Sequence, residues 1–175
     1  MDKRRQANLR VKQRITATLL RLLEEKSISE ITVSEIIAGA GVARASFYRN
    51  YATKESVITT LISDVLEEFR ENLQCDGDNF YTFGNVRMSF EYFSRYAGQV
   101  LDLHRFGYGS ILLDRLNQFH EEVAGTMPCK SVERYRLYIY IGSLYNTAMM
   151  WLQSGQRESI DEVSGMFYRI CASGQ

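Results

Sequence analysis

Apolar and polar positions alternate along this chain with the period of an α-helix. Between about Asn8 and Glu25 the apolar residues recur three or four positions apart and form one stripe. That stripe consists of Val11, Ile15, Leu19, Leu22 and Leu23. A second run with the same spacing extends from Lys54 to about Leu73 and contains Val57, Ile58, Leu61, Ile62, Val65, Leu66 and Phe69. No strand pattern competes, so the sequence predicts an all-α fold.

The segment between these two runs contains the signals of a short helix and a turn. Thr32 and Glu35 fit a capping box, in which each residue satisfies a backbone N–H of the other, so a helix should begin at about Val33. The pair Ala40-Gly41 should end this helix, because glycine adopts the positive φ of a C-terminal cap without steric cost.

A second short helix is predicted from Ala43 to Tyr51, with Phe47 and Tyr51 four residues apart on its apolar face. The polar side chains on its other faces are Arg44, Ser46, Arg49 and Asn50. Thr53 can cap a third helix that opens at Lys54. The segment therefore has two short helices, a tight turn between them and the start of a third.

The order and spacing of these signals resemble the N-terminal DNA-binding region of the TetR-type (tetracycline-repressor-like) transcriptional regulators. An Ile-Thr-Val start, an Ala-Gly-Val turn, a Phe-Tyr pair and a Lys-Glu opening recur there at this spacing. The resemblance covers about the first 60 residues. It implies a three-helix helix-turn-helix domain (1–53) and a larger helical ligand-binding and dimerisation domain (54–175), in which 54–73 is the connecting helix.

The resemblance also implies roles for individual residues, with Arg44 to Asn50 as the recognition helix. Arg44, Ala45, Ser46 and Arg49 would lie near base edges, whereas Thr32, Tyr48, Asn50 and Lys54 would contact phosphate or sugar. An arginine can bind guanine bidentately, and hydroxyls and lysines suit phosphate oxygens, which supports this division. The family often has a capping Ser or Thr where this chain has Ala43, so the first N–H groups of the recognition helix are expected to be less well satisfied.

Charge is distributed unequally, although the whole chain is neutral. Residues 1–60 hold 11 Lys and Arg against 6 Asp and Glu, a net charge of +5, and the remainder has a net charge of −5. The basic residues at the amino terminus are Lys3, Arg4, Arg5, Arg10, Lys12 and Arg14. They form either an arm that follows DNA phosphates, with strongly salt-dependent affinity, or a solvated, disordered arm.

Five further helices are predicted in the second half of the chain. They lie near Phe83–Tyr96, Val100–Phe106, Ser110–Ala124, Val132–Gln153 and Ile160–Ala172. The breaks are placed at Gly98, Gly107 to Gly109, Gly125 to Pro128 and Ser154-Gly155, and the cluster from Cys75 to Asn79 ends the connecting helix. The last two helices carry apolar residues on more than one face and so must be covered on several sides. In the family these two helices form a homodimer, and two recognition helices related by a two-fold axis suit a palindromic double-stranded operator.

The second half is rich in aromatic residues, for which two interpretations remain open. One is a pocket for an apolar or aromatic small-molecule effector, lined by Phe90, Phe93, Leu103, Phe106, Leu113, Tyr145 and Met149. The other is core and dimer packing. The function predicted is that of a repressor released by such an effector. The alternative is a DNA-binding co-activator or adaptor whose C-terminal domain binds a protein partner.

Other classes of function find little support in the sequence. Neither His104 nor His120 has further ligands at metal-binding spacing, and no cofactor motif or catalytic constellation is present, so neither a metal site nor an enzyme is expected. The most apolar stretch, Leu137–Leu152, is too short and too interrupted for a membrane span. The cysteines, Cys75, Cys129 and Cys171, are odd in number and far apart, as in a reduced cytoplasmic protein.

Overall fold

The computed structural model describes residues 3–73, 81–123 and 132–172. These residues form α-helices and one π-helical turn without any strand, so the all-α prediction is confirmed for the part of the chain described. The helices are α1 (Lys3–Leu23), α2 (Val33–Ala40), α3 (Arg44–Asn50), α4 (Glu55–Glu71), α5 (Phe83–Arg95), α6 (Ala97–Arg105), α7 (Gly109–Val123), α8 (Val132–Gln153) and α9 (Ile160–Phe167), which continues as the π-helical turn Tyr168–Ala172.

The chain divides into two compact units between Val65 and Leu66, inside α4. The predicted division into domains 1–53 and 54–175 remains a prediction. In the first unit α1 packs along α2 and touches α3, and α2 and α3 also pack on each other. The side chains of Ile15, Ile36 and Phe47 are fully buried and come from all three helices. One shared core therefore holds the three helices together.

The second unit is a bundle built around α8. Helix α7 packs along α8, α5 packs along α9 and also touches α8, and α6 touches both α7 and α8. Its core is aromatic: the Phe90 ring lies edge-on to Trp151 and Phe167, and Tyr140 lies edge-on to Phe167. No described helix is both long and apolar enough to cross a membrane.

Three predicted boundaries are wrong by three residues or more. Helix α1 begins at Lys3 instead of Asn8, because the preceding Lys, Arg, Gln and Ala residues all favour a helix, so Lys3 to Arg5 do not form a disordered arm. Helix α6 begins at Ala97, and Gly98 lies within it instead of breaking it, because glycine costs a helix only about 1 kcal/mol relative to alanine. The last α-helix stops at Phe167, where the π-helical turn begins.

The predicted breaks at Cys75 to Asn79 and at Gly125 to Pro128 lie outside the described residues, as does Cys129. Helix α8 has the predicted bounds, α5 ends one residue earlier than predicted, and α7 begins and ends one residue earlier. The helical pattern therefore located every described helix, while the errors are confined to the ends.

Candidate nucleic-acid interface

The start of α2 has the capping box that its sequence predicts. The backbone N–H of Glu35 donates to Thr32 Oγ1 at 3.2 Å, and the backbone N–H of Thr32 donates to the Glu35 carboxylate at 2.8 Å. The Thr32 hydroxyl donates to the same carboxylate at 2.8 Å, and Lys26 Nζ donates to its other oxygen. The Lys26 hydrogen bond, followed by those from Thr32, lowers the pKa of Glu35 to about 2.

The turn between α2 and α3 depends on glycine. Gly41 has φ 57° and ψ 43°, and its N–H donates to the carbonyl of Ala38 at 3.1 Å. A Cβ built at this position would lie 2.5 Å from a guanidinium nitrogen of Arg14. The left-handed backbone is the reason that the turn needs glycine, since the flexible Arg14 side chain can move away from a Cβ.

Helix α3 is held by its buried face and leaves its outer face in solvent. Phe47 has no exposed surface and lies 5.6 Å, ring centre to ring centre, from the buried Tyr51. Ala43 provides no side-chain hydrogen bond at the helix start, as predicted. The exposed residues of α3 are Arg44, Ala45, Tyr48 and Arg49, and Ser46 is half-buried.

Both arginines of α3 have neutral partners on the same helix. The Arg44 guanidinium lies over the Tyr48 ring, 5.3 Å from its centre, and an Arg44 nitrogen lies 3.4 Å from the Tyr48 hydroxyl. An Arg49 nitrogen donates to Ser46 Oγ at 3.2 Å. These contacts orient the two guanidinium groups without neutralising them, so both can still bind an anion or a base edge.

Lys54 and Thr32, two of the residues predicted to contact phosphate, are brought together at the start of α2. Lys54 Nζ donates to the backbone carbonyls of Ile31 at 2.6 Å and Ser29 at 3.2 Å. An ammonium group has three donors, so this arrangement leaves one of them for a further acceptor. The side chain thus joins the opening of α4 to the loop before α2.

Sequence reasoning missed three residues of α1 that bind the rest of the unit. Lys12 Nζ lies 2.6 Å from the carboxylate of Asp64, Thr16 hydrogen bonds the side chain of Tyr51, and Asn8 Nδ2 donates to Asn50 Oδ1 at 3.0 Å. Their spacing of four residues, which places them on one side of the helix, was the available signal. It does not reveal which residues lie opposite.

The residues predicted to line an effector pocket differ in burial. Phe90, Phe93, Leu103, Tyr145 and Met149 are buried, whereas Phe106 and Leu113 are half-buried. The Tyr145 hydroxyl lies 3.3 Å from His104 Nδ1. Because Phe90 packs against Trp151 and Phe167, it is part of the core of the unit. The assignment of the whole group to a pocket remains a prediction.

His120 lies in the core of the second unit, whereas His104 is exposed. Among the described residues, no three His, Cys, Asp or Glu side chains are placed to hold a metal ion. The functional features of the first unit are thus a short exposed helix, a glycine turn before it and two supporting helices. That combination defines the helix-turn-helix class of DNA-binding folds.

Comparisons with known proteins agree with this class. Residues 15–60 match the model of the bacterial regulatory proteins, tetR family. The HTH-type transcriptional regulator EthR of Mycobacterium tuberculosis (strain ATCC 25618 / H37Rv) is 35% identical over 65 residues, which are 37% of this chain and 30% of that regulator. The chain thus matches less than a third of the length of this relative.

Solved structures resemble the fold over nearly the whole chain. A TetR transcriptional regulator from Streptococcus agalactiae 2603V has a TM-score of 0.64 at 19% identity and covers 97% of both chains. The regulator FadR of Bacillus subtilis, solved with stearoyl-CoA, has a TM-score of 0.55 at 19% identity and covers 93% of this chain and 98% of its own. Residues 15–60 are thus similar to the DNA-binding region of the tetR family, and the chain as a whole shares the fold of these regulators.

Proposed function

We propose that this chain is a transcriptional repressor that binds a palindromic double-stranded operator as a homodimer and is released by a small-molecule effector. The observation that carries the proposal is the construction of α3. Its buried Phe47 fixes the helix in the core, while Arg44 and Arg49 are exposed on its outer face. A rigidly mounted helix with oriented guanidinium groups suits base reading in a major groove.

The charge on α1 supports a polyanionic partner for the same unit. Lys3, Arg10, Arg14 and Arg21 are exposed and spaced seven, four and seven residues apart, which places them along one side of the helix. Their helical order favours a defined basic surface over the disordered arm. Each phosphate that such a surface neutralises would make binding more dependent on salt.

The exposed side of α8 supports a homodimer. Tyr135, Ile139 and Met150 expose 69%, 67% and 68% of their surface and lie along one side of the helix. Gly142 lies between them, and a Cβ built there meets no atom within 4 Å, so a second backbone can approach closely at this point. A second copy of the same side is the occupant proposed, since an apolar surface on one helix can cover itself across a two-fold axis.

The effector proposed is an apolar small molecule bound in the second unit, among the residues predicted to line a pocket. Phe106 and Leu113, which are half-buried, are the members of this group with surface left to cover. FadR of Bacillus subtilis, which shares the fold, was solved with a fatty acyl-CoA. An effector releases DNA only if it binds the state with low DNA affinity more tightly than the other state.

Selection of duplexes from a random DNA pool tests the DNA-binding proposal. The native chain is expected to enrich a palindrome with half-sites about one DNA turn apart. Arg44→Ala should weaken binding to the selected duplex by about 1 to 3 kcal/mol and relax the preference at one base pair. Arg157→Ala, which removes an exposed arginine from the second unit, is the matched control and should leave affinity unchanged. Failure to enrich any sequence would refute the proposal.

A further inference from the structure

Asn50, at the end of the recognition helix, uses both ends of its side-chain amide within the protein. Its Nδ2 donates to the carbonyl of Ser46 at 2.8 Å, and its Oδ1 accepts from Asn8 Nδ2 at 3.0 Å. Both bonds are partly shielded from solvent. The two hydrogen bonds connect α1, through the Asn50 side chain, to the backbone of α3.

These two hydrogen bonds matter for the stability of α3 because the helix is short. A helix of seven residues has little stability of its own, and α3 also begins without a side-chain cap at Ala43. Beyond the aromatic anchors Phe47 and Tyr51, the bonds of Asn50 hold its last turn. The carbonyl that accepts from Asn50 belongs to Ser46, whose side chain accepts a hydrogen bond from Arg49.

We infer that Asn50 is a positioning residue that works with Asn8, instead of the phosphate contact that the family resemblance implies. Asn8 fixes the orientation of the Asn50 amide, and Asn50 fixes the last turn of α3 and with it the direction of Arg49. The bond to Ser46 uses one of the two N–H groups of Asn50 Nδ2, so the response to Asn8→Ala, and not this bond, distinguishes positioning from a phosphate contact. The inference rests on the proposed function, since it assigns a role in reading DNA.

The two roles predict different results for substitutions of Asn8 and Asn50. If Asn50 positions α3, then Asn8→Ala and Asn50→Ala should each weaken binding of the selected duplex about three- to tenfold, and the double variant should be no weaker than Asn50→Ala. The slope of log affinity against log salt should stay at its native value in all three. A phosphate contact predicts no effect of Asn8→Ala on affinity. The salt slope does not distinguish the two roles, because a neutral amide releases no counterion.

The matched control is Gln13→Ala, which removes an exposed amide from the same helix and should leave affinity and slope unchanged. Global stability is a poor readout for Asn8, because its Oδ1 is buried without a hydrogen-bond partner among the described residues. Removing the side chain therefore removes an unsatisfied acceptor together with the bond. Hydrogen exchange over residues 44–51 reports the positioning directly and should accelerate in both single variants.

The outcomes separate the inference from the proposed function. Independent, additive losses in the two variants, native affinity in Asn8→Ala, or unchanged exchange in Asn8→Ala would each overturn the positioning role while leaving DNA binding intact. If the native chain selects no duplex, the proposed function fails and the role in reading DNA fails with it. Accelerated exchange would then still record the mechanical link between α1 and α3.

Discussion

Acidification should destabilise the second unit through His120. The imidazole is only 3% exposed, its Nδ1 lies 2.7 Å from the carbonyl of Leu116, and its ring lies between Phe119 and Tyr140. A carbonyl can only accept, so Nδ1 carries the proton and donates it. Burial among these groups lowers the pKa of His120 from 6.5 to about 4.

The sign and size of the effect follow from the difference between folded and unfolded chains. Between pH 6.5 and about 4 the unfolded chain binds a proton on this imidazole that the folded chain does not bind, so stability falls as pH falls through this window. Each pH unit below 6.5 contributes about 1.4 kcal/mol at most. Acidification to about pH 5 should therefore lower the free energy of unfolding by about 2 kcal/mol through His120 alone.

Urea unfolding followed by circular dichroism at about pH 7 and pH 5 measures this difference. His120→Asn keeps an N–H donor near Leu116 but does not titrate, so it should be less stable than the native chain at pH 7 and should lose about 2 kcal/mol less on acidification. His104→Asn, at an exposed histidine, should follow the native pH dependence. Equal pH slopes for the native chain and His120→Asn would refute the reasoning.

Three further predictions concern the turn, the capping box and the dimer. Gly41→Ala should lower the free energy of unfolding by about 1 to 2 kcal/mol, because alanine is strained at positive φ. Gly98→Ala, in open space at ordinary φ, should be neutral or stabilising, and urea unfolding distinguishes the two variants. Because the pKa of Glu35 is lowered to about 2, its carboxylate stabilises the fold fully above about pH 4.5, and this stabilisation is lost as pH falls towards 2. Glu35→Gln should therefore reduce the fall in unfolding free energy over this range. An unchanged fall would contradict this. Ile139→Asp should convert dimer to monomer in sedimentation velocity, whereas Leu9→Asp, at an exposed leucine of the first unit, should not.

The elements of the first unit were predictable because their signals are local. Thr32 and Glu35 are three residues apart, so the hydrogen bonds of the capping box form within a single turn. Gly41 likewise acts through its own backbone conformation. The start of α1 was missed because a basic stretch with few apolar residues has no stripe to mark it, although its residues all favour a helix.

The side-chain partners in the candidate interface were not predictable, because they are distant in sequence. Asn8 and Asn50 are 42 residues apart, and Lys54 and Ile31 are 23 apart. The family resemblance implied a phosphate contact for Asn50 and Lys54, and residue type supported it for the lysine. In the free protein, α1 supplies the donor to Asn50 Oδ1, and the loop before α2 supplies the acceptors of Lys54. Only packing brings these groups together.

The aromatic residues of α8 show why composition could not assign aromatic side chains to the core or to a ligand pocket. Tyr135, Tyr138 and Tyr140 lie within two turns of one helix, yet Tyr140 is buried between Tyr81 and Phe167 while Tyr135 is largely exposed. The orientation of α8 about its axis relative to α5, α7 and α9 decides which tyrosines are buried. Residue type alone does not show that orientation.

That division of the aromatic residues reduces the number of side chains that can bind the proposed effector. Phe90 and Tyr140 pack with other rings in the core, and Tyr135 lies on the side of α8 proposed for the second copy. Neither group is free to bind a ligand without giving up packing in the core or the dimer. Phe106, at the end of α6, has the Arg105 guanidinium 5.6 Å from its ring centre, and both Phe106 and Leu113 of α7 are half-buried. A ligand that covers them would contact both α6 and α7. The chain turns between these two helices at Gly107, which has a positive φ.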